Sequence, residues 1–127
     1  MKVAILISLA FYVALISGCG PIRGTVALPN GYSLQMTEKR QPFLVDSSGN
    51  HILPASQFMV SGIYVYGWID KKDNVFFFLN SQTGEIYKDL SWEALDKMTQ
   101  THGARKFSMN ESLTFWDLAS GAKKPTW

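Results

Sequence analysis

The chain contains two neighbouring segments that are apolar on both faces, and this pattern limits the fold more than any other feature. Met59 to Ile69 and Val75 to Asn80 are rich in β-branched and aromatic residues, and the charged stretch Asp70 to Asn74 separates them. Such a composition is typical of two antiparallel strands joined by a turn. Because the free energy falls when apolar side chains leave water, both faces of this hairpin need cover from other parts of the chain.

Shorter segments around this hairpin predict further strands. Residues 32 to 37 alternate between apolar and polar side chains, as a half-buried strand does. Residues 43 to 45 and 51 to 53 flank the turn-rich residues 46 to 50 and predict a second hairpin. Residues 85 to 87, which follow a Gly-containing turn, predict a short strand that extends the apolar hairpin into a three-stranded meander.

One helix is predicted after the meander, ending near His102. Ser91 is a suitable N-cap because its hydroxyl can accept a hydrogen bond from an early helix amide, and Gly103 is a natural end. Leu95 and Met98 lie three residues apart and can share the inner face of the helix with Trp92 or Ala94. Together these elements predict an α+β fold, in which a small antiparallel sheet (a meander) packs with one main helix.

The N-terminal segment resembles a secretory signal peptide rather than a structural element. Lys2 is followed by a charge-free apolar stretch from Val3 to Ile16 and then by small residues. A helix of this length spans about 21 Å at 1.5 Å per residue, which is short of the roughly 30 Å hydrocarbon core of a membrane. We therefore expect the segment to be cleaved, with an uncleaved transmembrane anchor as the alternative.

The motif Ile16-Ser17-Gly18-Cys19 resembles the lipobox of bacterial lipoproteins. The resemblance implies cleavage between Gly18 and Cys19, transfer of a diacylglyceryl group to the Cys19 thiolate, and acylation of the new amino group. Several acyl chains, at about 0.8 kcal/mol per buried CH₂, would hold the protein on a membrane permanently. The alternative is that this single cysteine of the chain is a buried core residue.

The lipobox resemblance also implies a location in the cell envelope. Gly20 follows the cysteine where an Asp commonly retains Gram-negative lipoproteins at the inner membrane. In a Gram-negative cell we therefore expect the periplasmic side of the outer membrane. In a Gram-positive cell the same protein would lie on the outer face of the cell membrane.

Composition and spacing divide the chain into four parts. We predict a signal peptide over residues 1–18, a lipidated tether over residues 19–30, one α+β globular domain over residues 31–119 and a polar tail over residues 120–127.

A net charge of +2, with Lys and Arg scattered among acids, lacks the basic clustering of nucleic-acid binders. We expect no nucleic-acid partner.

Several motifs in the region after Cys19 are similar to an uncharacterised family of small bacterial lipoproteins, a domain of unknown function. The family supplies no catalytic residues that could be transferred to this chain. The chain departs from the family in the aromatic density of Tyr64 to Phe78. The similar motifs are Gly31-Tyr32, Ile52-Leu53-Pro54, Phe78-Leu79-Asn80, Thr83-Gly84-Glu85-Ile86-Tyr87 and Leu90-Ser91-Trp92-Glu93.

The residues that could carry catalysis are few. His51 lies beside a turn and His102 near a helix end, where capping explains it, and neither is part of a metal-binding spacing. Ser120 and Lys123 match the Ser-x-x-Lys pair of penicillin-binding enzymes, but they lie in a polar tail, where chance explains the match. We expect no cofactor, no metal and no enzymatic activity.

The aromatic face of the first apolar strand is the remaining candidate for function. Alternation places Tyr64, Tyr66 and Trp68 on one face. Ordinary core burial would account for them, but Tyr and Trp are also favoured in protein interfaces, because they combine a large rigid surface with a polar tip. This face is the candidate interface for an envelope or incoming protein.

These observations predict a non-catalytic, lipid-anchored envelope protein that binds another protein, as exclusion, immunity or assembly lipoproteins do. Its contacts would be the membrane, through acyl chains on Cys19, and an envelope protein. The alternative is an enzyme or enzyme inhibitor directed at the cell wall, with a site assembled from dispersed residues. A pocket that gathers His51 or His102 with carboxylates would favour that alternative.

Overall fold

A computed structural model describes residues 24–125 and residue 127. The predicted signal peptide, the cleavage site between Gly18 and Cys19, and the lipidation site Cys19 itself lie outside the described residues. Within them, two four-stranded antiparallel sheets accompany one main helix. The α+β prediction is confirmed, although the strands form two sheets rather than a single small one.

The first sheet is a meander in which each strand pairs with the next along the chain. It contains the hairpin predicted around residues 46 to 50. It also contains the predicted alternating strand, in which Leu34 is buried opposite Leu44. Its strands are β1 (Thr25–Ala27), β2 (Ser33–Met36), β3 (Pro42–Val45) and β4 (His51–Pro54).

The second sheet is also a meander, and it corrects the prediction of one continuous strand from Met59 to Ile69. A two-residue turn at Gly62 and Ile63 divides that segment, so that Ser61 pairs with Tyr64. Gly62 has a φ of 61°, a left-handed conformation that glycine adopts without steric cost. The strands are β5 (Gln57–Ser61), β6 (Tyr64–Asp70), β7 (Val75–Asn80) and β8 (Ile86–Leu90).

The folded part begins earlier than the predicted boundary at residue 31. Strand β1 lies inside residues 19–30, which the sequence predicts to be a lipidated tether, and it pairs with β2. Val26 packs against the core opposite Leu34, and Leu28 is 6% exposed. Burial of these two apolar side chains explains why the segment is ordered even though only three of its residues form a strand.

The main helix, α1 (Trp92–His102), has the ends that its sequence predicts. The backbone N–H of Ala94 donates to the Ser91 hydroxyl at 3.1 Å, and Gly103 ends the helix with a φ of 69°. A second, shorter helix, α2 (Phe115–Ala119), begins with a capping box in which Thr114 and Asp117 exchange side-chain to backbone hydrogen bonds. Both helices therefore begin with the N-cap chemistry that satisfies unpaired amides.

Two apolar cores lie on opposite faces of the second sheet, which places it between the first sheet and α1. We name them the inter-sheet core and the helix-side core. The inter-sheet core contains Leu28, Leu34, Leu44, Leu53, Ala55, Phe58, Val60, Val65, Phe77, Leu79 and Phe115. The helix-side core contains Met59, Tyr66, Trp68, Phe76, Phe78, Leu95 and Phe107.

The close approach of β5 and β6 depends on Gly67. A Cβ at this position would overlap the carbonyl oxygen of Gln57 and would lie 2.6 Å from the Cα of Phe58, both of which are backbone atoms. A Cβ at Gly103, which has a φ of +69°, would meet nothing within 4 Å. A substitution at Gly67 therefore meets a steric constraint, whereas a substitution at Gly103 meets only the cost of a left-handed backbone conformation.

We predict that Gly67→Ala lowers the free energy of unfolding by about 3 kcal/mol, because backbone must shift to admit the methyl group. The matched substitution Gly103→Ala should lower it by only about 1 kcal/mol, the cost of a left-handed alanine. Urea unfolding of the purified variants measures both values. Equal losses would contradict the packing described for β5 and β6.

Candidate functional site

The face predicted as an interface is largely buried. Tyr66 is 0% exposed and Trp68 is 8% exposed, whereas Tyr64 is half-buried. The prediction of an open recognition face is therefore wrong for Tyr66 and Trp68, and the core alternative describes them. The physical reason is that α1 and the segment carrying Phe107 return across this face and cover it.

The Tyr66 hydroxyl holds the covering segment in place. It donates a hydrogen bond to the backbone carbonyl of Arg105 at 2.5 Å. Arg105 is also attached to β5, because its backbone N–H donates to the Ser61 hydroxyl and its guanidinium donates to the Val60 carbonyl, each at 3.2 Å. Burial raises the pKa of Tyr66 above its ordinary value, so the hydroxyl keeps its proton and remains a donor.

Beside this segment the helix-side core opens to solvent in a groove of about 530 Å³. Its two exposed apolar side chains are Trp92, at 40% exposure, and Met109, at 51%. Phe107 also lines the groove but is only 3% exposed. We name this site the Trp92 groove; its lining residues are Trp92, Arg105, Lys106, Phe107, Ser108, Met109 and Glu111.

Contacts with the core orient the indole of Trp92. Its ring packs edge to face on Phe76, with centroids 5.6 Å apart, and on Phe107 at 6.2 Å. Edge-to-face pairs of this kind contribute about 1 kcal/mol beyond the area they bury. The exposed part of the indole is therefore presented by a side chain whose other edge is held by the interior.

Charged side chains surround the apolar part of the groove. The Arg105 guanidinium lies 2.9 Å from a Glu111 carboxylate oxygen, and both side chains are more than half exposed. An ion pair so exposed contributes less than about 1 kcal/mol to folding, so its charges remain accessible to a ligand. Together with exposed Lys106, it gives the groove a polar and slightly basic rim.

A second groove lies at the end of the first sheet, beside the connection from β2 to β3. It measures about 720 Å³, and Glu38, Phe43 and His51 are among its lining residues. The His51 ring stacks on Phe43 with centroids 5.4 Å apart. Within residues 24–125 and 127, no ion pair joins a histidine to a carboxylate, so His51 and Glu38 share a groove without pairing.

The other residues considered for catalysis are dispersed. His102 packs against the rings of Tyr64 and Phe78, with centroids 5.2 and 5.4 Å away. The Lys123 ammonium lies 3.7 Å from Asp117, and the Ser120 hydroxyl accepts from the backbone of Ala122. In the part of the chain that the structure describes, no three His, Cys, Asp or Glu side chains are grouped to hold a metal ion.

Comparisons with protein-family models, with curated proteins and with solved structures gave no match to this chain. The function therefore has to be inferred from its own residues. Among the described residues, no helix combines the length and the apolar character needed to cross a membrane.

Local sequence patterns do not predict the Trp92 groove, because its residues come from separate segments. Trp92 opens α1, whereas Arg105 and Met109 follow the helix in an irregular stretch. One local signal was available: a tryptophan in the first turn of a helix whose inner face already contains Leu95 and Met98. An additional large apolar residue there favours partial exposure.

We predict that Tyr66→Phe lowers the free energy of unfolding by about 1 kcal/mol at pH 8, because it removes the hydrogen bond to the Arg105 carbonyl. The raised pKa of Tyr66 means that its stabilisation is complete below about pH 10, the pKa of an unfolded tyrosine, and is lost as pH rises through the folded-state pKa. The variant should therefore lose less stability than the native protein above pH 10. Tyr87→Phe, at a site that is 41% exposed, is the control, and equal alkaline losses in all three proteins would contradict the buried hydroxyl.

Proposed function

We propose that this protein is a non-catalytic, lipid-anchored protein of the bacterial envelope that binds another protein through the Trp92 groove. The observation that carries the binding role is the pairing of exposed Trp92 and Met109 beside buried Phe107, inside a rim of charged residues. The proposed recognition site lies where the aromatic core meets solvent and not on the buried face of Tyr66 and Trp68.

The composition of the groove supports a protein as ligand. Protein interfaces have an apolar centre and a polar rim, and Trp and Arg are the residues whose loss most often weakens binding. Met supplies a flexible, polarizable contact that adapts to a partner. Trp92 is held by two aromatic neighbours, so little conformational freedom would be lost when it is covered.

The anchor is supported by the lipobox at residues 16 to 19. Acyl chains on Cys19 would confine the domain to the plane of one membrane, which raises its effective concentration toward partners at the same surface. A groove with only modest affinity can then bind its partner, because the anchor keeps the local concentration of the domain high. Exclusion, immunity and assembly roles are all compatible with this arrangement, and the proposed function is that class as a whole.

We predict that Cys19→Ser, introduced into the complete chain in a bacterial host, abolishes incorporation of labelled fatty acid and prevents cleavage after Gly18. The serine hydroxyl is a much weaker nucleophile than a thiolate, so it would not accept the diacylglyceryl group. Metabolic labelling followed by mass spectrometry of the N-terminal peptide measures both events. A native protein that begins at Met1 with an unmodified Cys19 would refute the anchor.

We predict that a photo-crosslinking amino acid at Met109 forms a discrete adduct with one envelope protein in intact cells. The adduct should disappear when Trp92→Ser is added, because the indole supplies the rigid centre of the contact. A crosslinker at Tyr87, which has comparable exposure outside the groove lining, is the control and should give no such adduct. Equal adducts from both positions would refute a binding site at this groove.

One observation favours a second candidate, an enzyme or enzyme inhibitor directed at the cell wall. The groove that His51 shares with Glu38 places a histidine and a carboxylate in one concave site. It ranks second because His51 is stacked on Phe43, and general acid–base catalysis requires a base within hydrogen-bonding reach of the group it activates.

A further inference from the structure

We infer that one edge of the domain, the edge that carries Trp116, Lys123, Lys124 and Trp127, rests on the phospholipid headgroups of the membrane. We name it the α2 edge. The inference rests on the proposed acylation of Cys19 and adds the orientation of the domain, together with a second, weaker contact with the lipid.

The α2 edge is formed where residues 113–125 and Trp127 lie along the side of both sheets. Leu113 and Phe58 exchange two backbone hydrogen bonds, at 2.9 and 2.7 Å, which attaches the segment to β5 of the second sheet. The indole N–H of Trp127 donates to the carbonyl of Ala27 at 3.2 Å, which attaches it to β1 of the first sheet. Residues predicted to be a polar tail thus lie beside the strand at which the described domain begins.

The length of chain before β1 limits how far this edge can be from the membrane. Six peptide units separate Cys19 from Thr25, the first residue of β1. Even fully extended, they span no more than about 22 Å. A tether to residue 30, as the sequence suggests, would permit many orientations, whereas a tether that ends at Thr25 keeps the β1 side of the domain close to the acyl chains.

The side chains on the α2 edge suit the headgroup region. Trp116 is 41% exposed and Trp127 is 36% exposed, and indoles concentrate at membrane interfaces because they join an apolar ring to a polar N–H. Lys123 and Lys124 are both exposed, and a lysine near an anionic surface gains about 1 kcal/mol. Asp117 faces Lys123 at 3.7 Å and offsets part of that charge.

The occupant is therefore a lipid surface rather than a second copy of the chain. The Trp92 groove carries basic and acidic side chains together with the thioether of Met109. The α2 edge instead carries indoles and lysines, next to the end of the domain that the proposed anchor holds. Each contact is individually weak. Because the anchor already holds the edge at the membrane, even a weak contact would set the orientation of the domain.

The test uses the lipidated protein, purified from membranes and reconstituted into vesicles of equal parts phosphatidylcholine and phosphatidylglycerol with brominated acyl chains. Bromine quenches tryptophan fluorescence only at short range. We expect quenching in the native protein and its loss in the double variant Trp116→Phe and Trp127→Phe. The matched variant Trp92→Phe should keep it.

Two further measurements keep the outcomes separate. Lys123→Gln with Lys124→Gln should reduce quenching in the mixed vesicles and not in vesicles of phosphatidylcholine alone. The mass of the N-terminal peptide reports whether Cys19 is acylated. Acylated protein without quenching of Trp116 and Trp127, including the case in which a second copy covers them, would overturn the inference alone, whereas an unmodified Cys19 would overturn the proposed function as well.

Discussion

The structure depends on enclosing a hairpin that has no polar face. Along β6 and β7, Val65 and Phe77 point to one side while Tyr66 and Phe76 point to the other, and all four are almost completely buried. Burying each such side chain stabilises the fold by roughly 1.5 to 3 kcal/mol, so leaving either face open would cost a large part of the roughly 5 to 15 kcal/mol by which small domains are stable. The first sheet covers one face, and α1 with the Phe107 segment covers the other.

The two covers have different consequences for function. The first sheet has β1 as an outer strand, and this places the end of the domain nearest the proposed anchor at the edge where α2 and Trp127 lie. The helix-side cover is held by the hydrogen bond between Tyr66 and Arg105, and it is incomplete at Trp92. The same requirement to bury the hairpin thus produces both the proposed orientation on a membrane and the proposed groove for a partner.

Local patterns in the sequence predict much of this fold. Alternation correctly assigns Tyr64, Tyr66 and Trp68 to one face of β6, and Ser91 and Gly103 mark the ends of α1, because both signals arise from neighbouring residues. The turn at Gly62 is missed because it interrupts an apolar run without adding any polar residue.

Contacts between distant residues cannot be predicted in this way. The Tyr66 hydroxyl donates to Arg105, 39 residues away, and the indole of Trp127 donates to Ala27, 100 residues away. Burial of the predicted interface, the composition of the Trp92 groove and the early start of the domain all follow from contacts of this kind. Sequence alone therefore identifies the aromatic face but not what lies against it.

Residue-resolved hydrogen exchange tests the enclosed hairpin most directly, because amides that exchange only on global unfolding mark the most completely covered part of a fold. The account predicts that the amides of Val65, Tyr66, Phe77 and Phe78 exchange most slowly, more slowly than those of β1 and β8. If the amides of β6 and β7 exchanged as fast as those of these two outer strands, at least one face of the hairpin would be open, and the account would be contradicted.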